Sequence, residues 1–257
     1  MNLSLVLALS WNTVRELIRS KLLYNVVIFA ALLLGSSLFV AQLTVGEWRR
    51  IILDQGLSAA ELGGGLIAVV VGVNLIAGEI ERRTIFPTLA KPVTRGTFIA
   101  GRYLGLVLVL AANAVLMLGL LAVLVHLAGE RIDAIVVQAM FLIFVELILL
   151  AAVAMLFGSF STPMLAAGFS LAIFLIGHLV GDLRAFGDRS KSEMAKTLAS
   201  FFYRLLPDLE LLNLKSSAAN RLVVSAGYVA TSTAYGVAYA AVLLLLSGII
   251  FAKRDLK

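Results

Sequence analysis

The sequence contains no cysteine and few charged residues. Without cysteine there is no disulfide, no thiolate metal site and no cysteine nucleophile, and the redox compartment stays undetermined. Charged residues make up 14% of the chain and apolar residues 61%, whereas soluble proteins have about 25% charged residues. So few charges cannot cover a water-facing surface. The composition therefore indicates an integral membrane protein and excludes a soluble enzyme and a nucleic-acid binder, despite the net charge of +6.

Six apolar runs are long enough to cross a membrane, which takes about 20 helical residues each. They cover residues 22–43, 62–80, 103–127, 135–157, 164–180 and 228–251. Only residues 158–163 separate the fourth run from the fifth, which indicates a tight turn between antiparallel helices. The sequence therefore predicts an all-α integral membrane protein in which residues 1–257 form one domain with six transmembrane helices.

Basic residues indicate the orientation of these spans. With six spans, the N-terminal segment, the loop between the second and third spans and the C-terminal tail share one side. That side carries many Lys and Arg but few acidic residues. The positive-inside rule then predicts that both termini are cytoplasmic. The two sides have nearly equal totals of Lys and Arg, but most of the outer ones lie in the long extracytoplasmic segment 181–227.

Two segments outside the spans have an amphipathic pattern. Residues 1–21 place Trp11 on an apolar stripe and Arg15 and Arg19 on a polar one, as in a helix that lies along the cytoplasmic membrane surface next to lipid phosphates. The alternative is a simple extension of the first span. In the segment 181–227, large apolar residues cluster at helical spacing before Pro207, which predicts short amphipathic helices between the fifth and sixth spans.

The cytoplasmic loop 81–98 is short, basic and interrupted by Pro87 and Pro92. Because proline is poorly tolerated inside a helix, any helix here has one or two turns. Both loop ends join spans, so a push from a soluble partner would pass to two transmembrane helices. The residues that we expect to contact such a partner are Glu79, Glu81, Arg82, Arg83, Thr84, Ile85, Phe86, Pro87, Leu89, Lys91, Pro92 and Arg95.

The same region carries three short motifs. They are Glu-x-Glu-x-x-Thr-Ile at 79–85, Leu-Ala-Lys-Pro-Val-x-Arg at 89–95, and Gly-Arg-Tyr-Leu-Gly at 101–105. At these residues the sequence resembles the permease subunits of ABC transporters of the ABC-2 type. The resemblance extends to the N-terminal interfacial helix, the six spans and the longer outer segment. It implies that residues 81–95 form a coupling helix that docks into a groove on a separate ATPase subunit.

The 257 residues contain no Gly-x-x-x-x-Gly-Lys-Ser/Thr phosphate loop. If ATP drives transport, ATP and Mg²⁺ are bound by the partner ATPase, and this chain is not an enzyme, has no catalytic residues and binds no cofactor itself. Because closed symmetry favours a C2 homodimer, we expect two permeases with two ATPases, in contact with membrane lipid. The resemblance suggests an exporter of the bacterial inner membrane.

Glu146 is the one charged residue near the middle of the long apolar runs. A charge there costs about 2.5–3.5 kcal/mol on insertion scales, so it needs a partner from another helix. Asn74 and Asn113 are the donors that we expect. Two interpretations stay open: Glu146, Asn74 and Asn113 belong to the translocation path or a gating network, or Glu146 is a hydrogen-bonded packing residue.

The two histidines, His126 and His178, show no ligand spacing along the chain. A metal site needs at least three converging ligands, so the sequence predicts none. Small residues four positions apart, Ala68/Gly72 and Gly101/Gly105, predict close helix packing.

Two other functions stay open on the sequence alone. A secondary transporter or channel would usually carry several intramembrane charges or an internal repeat. A non-transporting membrane scaffold would use the basic loop only to flank the membrane.

Overall fold

The computed structural model describes residues 3–19, 35, 48–81, 94–189 and 192–253. Every regular element in this part of the chain is helical. Two predictions lie outside the described residues. They are the first span, residues 22–43 except Gly35, and most of the loop 81–98, namely residues 82–93.

Eight helices cover most of the described residues. They are α1 (Leu3–Arg19), α2 (Trp48–Val73), α3 (Arg95–Leu127), α4 (Ala134–Phe160), α5 (Pro163–Arg189), α6 (Glu193–Leu205), α7 (Lys215–Ala219) and α8 (Ala226–Lys253). A π-helical turn, Asn74–Gly78, and a last α-helical turn, Glu79–Glu81, extend α2. A 3-10 turn, Glu210–Leu212, lies between α6 and α7.

Five of the described helical stretches are long and apolar enough to cross a membrane. They are Trp48–Glu81, Arg95–Leu127, Ala134–Phe160, Pro163–Gly181 and Ala226–Lys253. These stretches match the second to sixth predicted spans. The all-helical membrane architecture is thereby confirmed, whereas the first span, the total of six spans and the cytoplasmic placement of both termini stay predictions.

The second span starts much earlier than its apolar run. Its helix begins at Trp48 rather than near residue 62. The polar residues that end the apolar run are buried in the structure, with Arg49 8% and Glu61 3% exposed. Arg49 donates a hydrogen bond of 2.5 Å to Asp133. Because packing gives these side chains partners, the helix continues where hydropathy alone predicts a loop.

Helices α2 and α4 form the centre of the bundle. In the most apolar window of each, 78% of the residues are buried, against 22–33% in α3, α5 and α8. Helix α4 packs against α2, α3, α5 and α8. Among the described spans, α3, α5 and α8 leave most of their apolar surface uncovered and are therefore suited to face lipid.

Small residues permit the closest helix contacts, as the sequence predicts. A Cβ atom on Gly72 of α2 would lie 2.9 Å from the Cβ atom of Ala154 in α4. A Cβ atom on Gly101 of α3 would lie 2.6 Å from that of Leu9 in α1. Any larger side chain at either glycine would push the two helices apart.

The connections around α5 and α6 also agree with the sequence. Helix α4 ends at Phe160 and α5 begins at Pro163, where proline is tolerated because the first turn needs no backbone donor. The tight turn is confirmed. Helix α6 lies within the segment 181–227 and ends just before Pro207, so the expected helix there is confirmed as well.

Candidate functional site

Helix α1 packs lengthwise on the start of α3. Val6 and Thr13 are buried in this contact, whereas Leu7 and Trp11 are each 57% exposed. The guanidinium of Arg15 lies over the Trp11 ring, 5.6 Å from its centroid. Helix α1 therefore has one face fixed to the bundle and a second, apolar face uncovered, which is the pattern that a helix at a lipid surface requires.

Arg102 joins three helices at one end of the bundle. Its guanidinium donates to the carboxylate of Glu79 at the end of α2, to Glu16 of α1 at 2.7 Å and to the hydroxyl of Thr13 at 3.2 Å. The side chains of Arg102 and Glu79 are only 12% and 11% exposed. We call these four residues the Arg102 network.

A second set of contacts fixes the start of α3. The hydroxyl of Thr94 caps the helix by accepting a hydrogen bond of 3.3 Å from the backbone N–H of Thr97. Arg95 donates a hydrogen bond of 2.6 Å to the carbonyl of Phe251 in α8. The rings of Phe98 and Phe251 stack with their centroids 6.2 Å apart. These contacts fix the chain to the bundle at the start of α3, directly after residues 82–93.

Glu79 of the Arg102 network precedes the expected coupling segment, residues 81–95, and the Thr94 cap lies at the end of that segment. Of the predicted coupling residues, Glu79 is buried, Glu81 is exposed and Arg95 binds α8. The others lie outside the described residues: Arg82, Arg83, Thr84, Ile85, Phe86, Pro87, Leu89, Lys91 and Pro92.

A second group of charged residues is buried between the helices, and we call it the buried charge cluster. It consists of Glu61 of α2, Glu146 of α4, His178 of α5 and Lys215 of α7. His178 Nε2 lies 2.7 Å from Glu61 Oε1 and 3.4 Å from Glu146 Oε1. Lys215 Nζ pairs with the other oxygen of Glu61. Glu61 and Glu146 are 3% and 0% exposed.

Backbone packing places His178 and Lys215 in this cluster. His178 Nδ1 lies 2.9 Å from the carbonyl oxygen of Phe174, one turn earlier in α5. The backbone N–H of Leu209 donates to the carbonyl of Gly177 at 3.0 Å. A Cβ atom on Gly177 would lie 2.7 Å from the Leu209 side chain. Because glycine has no side chain, the segment that connects α6 to α7 can approach α5 closely at this point. The segment then leads directly to Lys215.

The prediction that Asn74 and Asn113 donate hydrogen bonds to Glu146 is wrong. Asn74 donates a hydrogen bond of 2.7 Å to the backbone carbonyl of Val70, and it lies about 20 Å along α2 from Glu61, at 1.5 Å per residue. Neither carboxylate oxygen of Glu146 has a hydrogen-bond partner among the described residues, so Asn113 does not donate to it either. The imidazole of His178 lies 3.4 Å from Glu146 instead. A role of either asparagine in transport stays a prediction.

Sequence reasoning missed Glu61, His178 and Lys215 as members of one site. Glu61 and His178 are 117 residues apart, and Glu61 and Lys215 are 154 apart, so no local motif links them. The ligand atoms of Glu61, Glu146 and His178 all lie within 4.8 Å of one another. The sequence predicted no metal site because the histidines show no ligand spacing along the chain. Such spacing cannot reveal a site whose ligands come from three separate helices. The other histidine, His126, is exposed and is not part of this group.

Ion pairs also close the opposite end of the bundle. Arg49 at the start of α2 pairs with Asp133 just before α4. Arg221, before α8, pairs with Glu130 at 2.6 Å. The buried charge cluster therefore lies between two polar ends, about 27 Å along α2 from Glu79 at 1.5 Å per residue.

Comparison with known proteins gives one family match. The sequence profile of the ABC-2 family transporter proteins matches residues 7–256. No curated protein matches the chain. The family match includes α1, the five described spans, the Arg102 network and the buried charge cluster. The chain belongs to the ABC-2 family of transporter proteins and is a multi-pass membrane permease of the ABC transporter type.

Proposed function

We propose that the chain is the membrane-spanning subunit of an ATP-driven exporter in the bacterial inner membrane. Two copies form a C2 homodimer and bind two copies of a separate ATPase, which holds ATP and Mg²⁺. Family membership supports the permease role, and the sequence has no phosphate loop of its own. In this proposal the chain couples ATP hydrolysis to transport without catalysing a reaction.

The observation that carries the proposal is the Arg102 network. Residues 82–93 connect the last turn of α2 to the Thr94 cap of α3, so a force on this segment acts on both helices. The ion pair between Arg102 and Glu79 makes the two helix ends move together, and Glu16 adds α1 to the same unit. A partner that binds residues 82–93 therefore acts on three helices at once.

Helix α2 offers a route from this end to the interior. It is one of the two most buried spans, and its π-helical turn at Asn74–Gly78 lies between Glu79 and Glu61. π-helical turns often occur at functional sites because their backbone hydrogen bonds can rearrange. A change of pitch there would alter the position of Glu79 relative to Glu61.

Co-purification tests the proposal. We expect an ATPase to co-purify with the tagged wild-type permease, and Arg83→Glu together with Phe86→Ala to abolish the association while leaving the permease folded. The matched control is Arg131→Glu with Phe169→Ala, which changes two exposed residues that are not part of the segment 82–93. Equal loss of the ATPase from the control, or full retention of the ATPase by the Arg83 and Phe86 variant, would contradict the proposed docking site.

The buried charge cluster favours a second candidate function. Several ionisable residues inside a bundle are typical of ion-coupled transporters, and Glu61, Glu146 and His178 meet that description. Proteoliposomes that contain only the purified permease distinguish the two candidates. Proton flux without ATP or an ATPase, measured with an internal pH dye and abolished by Glu146→Gln, would favour the secondary transporter.

A further inference from the structure

Three spanning helices each bring one side chain to the same point. Glu61 comes from α2, Glu146 from α4 and His178 from α5, and their ligand atoms lie within 4.8 Å of one another. Carboxylate oxygens and an imidazole nitrogen are the donor set of many zinc and related metal sites in proteins.

Hydrogen bonding fixes which atom of His178 faces the carboxylates. A backbone carbonyl can only accept, so the contact of 2.9 Å between Nδ1 and the Phe174 oxygen requires the hydrogen on Nδ1. In the neutral ring, Nε2 then presents a lone pair to Glu61 Oε1 at 2.7 Å and Glu146 Oε1 at 3.4 Å. Three electron-rich atoms repel one another, so a proton or a metal cation must lie among them.

The state of Glu146 distinguishes between these two cations. Neither of its carboxylate oxygens has a hydrogen-bond partner among the described residues, although the side chain is 0% exposed. One proton bridges only two atoms, and the pair His178–Glu61 would take it because it is closer than the pair His178–Glu146. A second proton on Glu146 would neutralise its carboxyl group but leave the O–H without an acceptor among the described residues. A metal ion binds all three ligand atoms at once and so satisfies Glu146 as well.

We propose that Glu61, Glu146 and His178 bind a divalent transition-metal ion of the zinc class. Two ligands of a tetrahedral zinc ion lie about 3.3 Å apart, given bond lengths of about 2.0–2.1 Å, and Nε2 of His178 is 3.4 Å from Glu146. The distance of 2.7 Å to Glu61 widens on binding. A hydrogen bond from the second imidazole nitrogen to a backbone carbonyl is the usual way to orient a metal-binding histidine.

Lys215 modulates this site. Its ammonium group pairs with the second oxygen of Glu61 and so compensates one of the two carboxylate charges. The remaining negative charge attracts a cation, while the charge of Lys215 opposes a divalent one. Removal of Lys215 should therefore tighten metal binding, an effect that a misfolded variant cannot produce.

The test is zinc titration of the full chain, purified in detergent and stripped with a chelator. We expect one Zn²⁺ per chain in the wild type, measured by calorimetry. Glu146→Gln and His178→Gln should weaken binding by at least a factor of about 10–100, which is what loss of a group that merely orients a metal ligand costs. Lys215→Gln should strengthen it by a factor of about ten, which corresponds to about 1.4 kcal/mol.

Two matched controls complete the test. His126→Gln removes the other histidine, and Glu193→Gln removes a glutamate whose side chain is 86% exposed; both should bind Zn²⁺ as the wild type does. Absence of stoichiometric zinc in the wild type, or unchanged affinity in Glu146→Gln and His178→Gln, would mean that a proton alone occupies the cluster and would overturn the proposal. An equal loss of zinc affinity in His126→Gln would locate the zinc elsewhere and would also overturn the proposal. Weaker zinc binding in Lys215→Gln would overturn it too.

Discussion

Arg102 of α3 forms an ion pair with Glu79, the residue at which α2 leaves its π-helical turn. Both side chains are nearly buried, and Arg102 also binds Glu16 of α1. The pair therefore connects three helices at the end of the bundle that carries the segment 82–93. One guanidinium group therefore contributes to the stability of three helix contacts at this end.

Arg102→Gln should lower the free energy of unfolding by about 1–3 kcal/mol, because it removes the charged hydrogen bonds that Arg102 donates to Glu79 and Glu16. Thermal unfolding in detergent measures the change. Arg131→Gln removes an exposed arginine and should change stability by less than about 0.5 kcal/mol. Similar losses in the two variants would show that the ion pair does not stabilise the bundle.

Gly105→Ala should separate α1 from α3. A Cβ atom there would lie 2.8 Å from the carbonyl oxygen of Ser10, and a backbone atom cannot move aside as a flexible side chain can. We expect a loss of about 1–3 kcal/mol from overpacking, together with faster proteolysis of α1. The control is Gly119→Ala in the same helix, where a Cβ atom meets nothing within 4 Å. If Gly119→Ala loses as much stability as Gly105→Ala, the effect does not come from the contact with α1.

Arg49→Met should destabilise the opposite end of the bundle by about 1–3 kcal/mol. The arginine side chain is 10% exposed and donates to Asp133 at 2.5 Å, and loss of a charged hydrogen-bond partner at a mostly buried site costs about this much. Lys196→Met breaks a pair with Glu193 whose side chains are 44% and 86% exposed. Exposed pairs contribute about 0–1 kcal/mol, so the melting temperature of this control should stay nearly constant.

Glu146→Gln, studied in the presence of a chelator, should leave the fold intact and the melting temperature equal or higher. The glutamine has the same shape and removes a carboxylate that is 0% exposed and has no hydrogen-bond partner among the described residues; burial of such a charge is costly. Glu146→Ala should instead lose about 2 kcal/mol, because it leaves a cavity. A large loss in the glutamine variant would show that the metal-free bundle needs the negative charge.

Hydropathy located the described spans because each depends only on its own residues. Residues 103–127, 135–157, 164–180 and 228–251 all lie within helices of the structure. The second span shows where hydropathy alone fails to predict the length of a helix. Arg49 and Glu61 lie in the polar stretch before its apolar run, yet both are buried inside the helix bundle, because distant parts of the chain supply their partners.

The candidate sites divide in the same way. The motifs at 79–85, 89–95 and 101–105 identified the family, which the match over residues 7–256 confirms. The partners of Glu146 could not be found, because neither asparagine near the spans donates to it and the imidazole that lies against it is 32 residues away along the chain. Contacts of this kind depend on how α4 and α5 rotate against each other, and hydropathy contains no information on that rotation.

The sequence by itself determined that the chain is a helical membrane protein, where its apolar helices lie and to which family it belongs, since length, apolarity and short motifs are local properties. Only the tertiary structure decided that Glu61, Glu146, His178 and Lys215 meet and that Arg102 joins three helices. The physical reason is that a charge in an apolar bundle must find its partner through space, and the packing of helices far apart in the chain selects that partner.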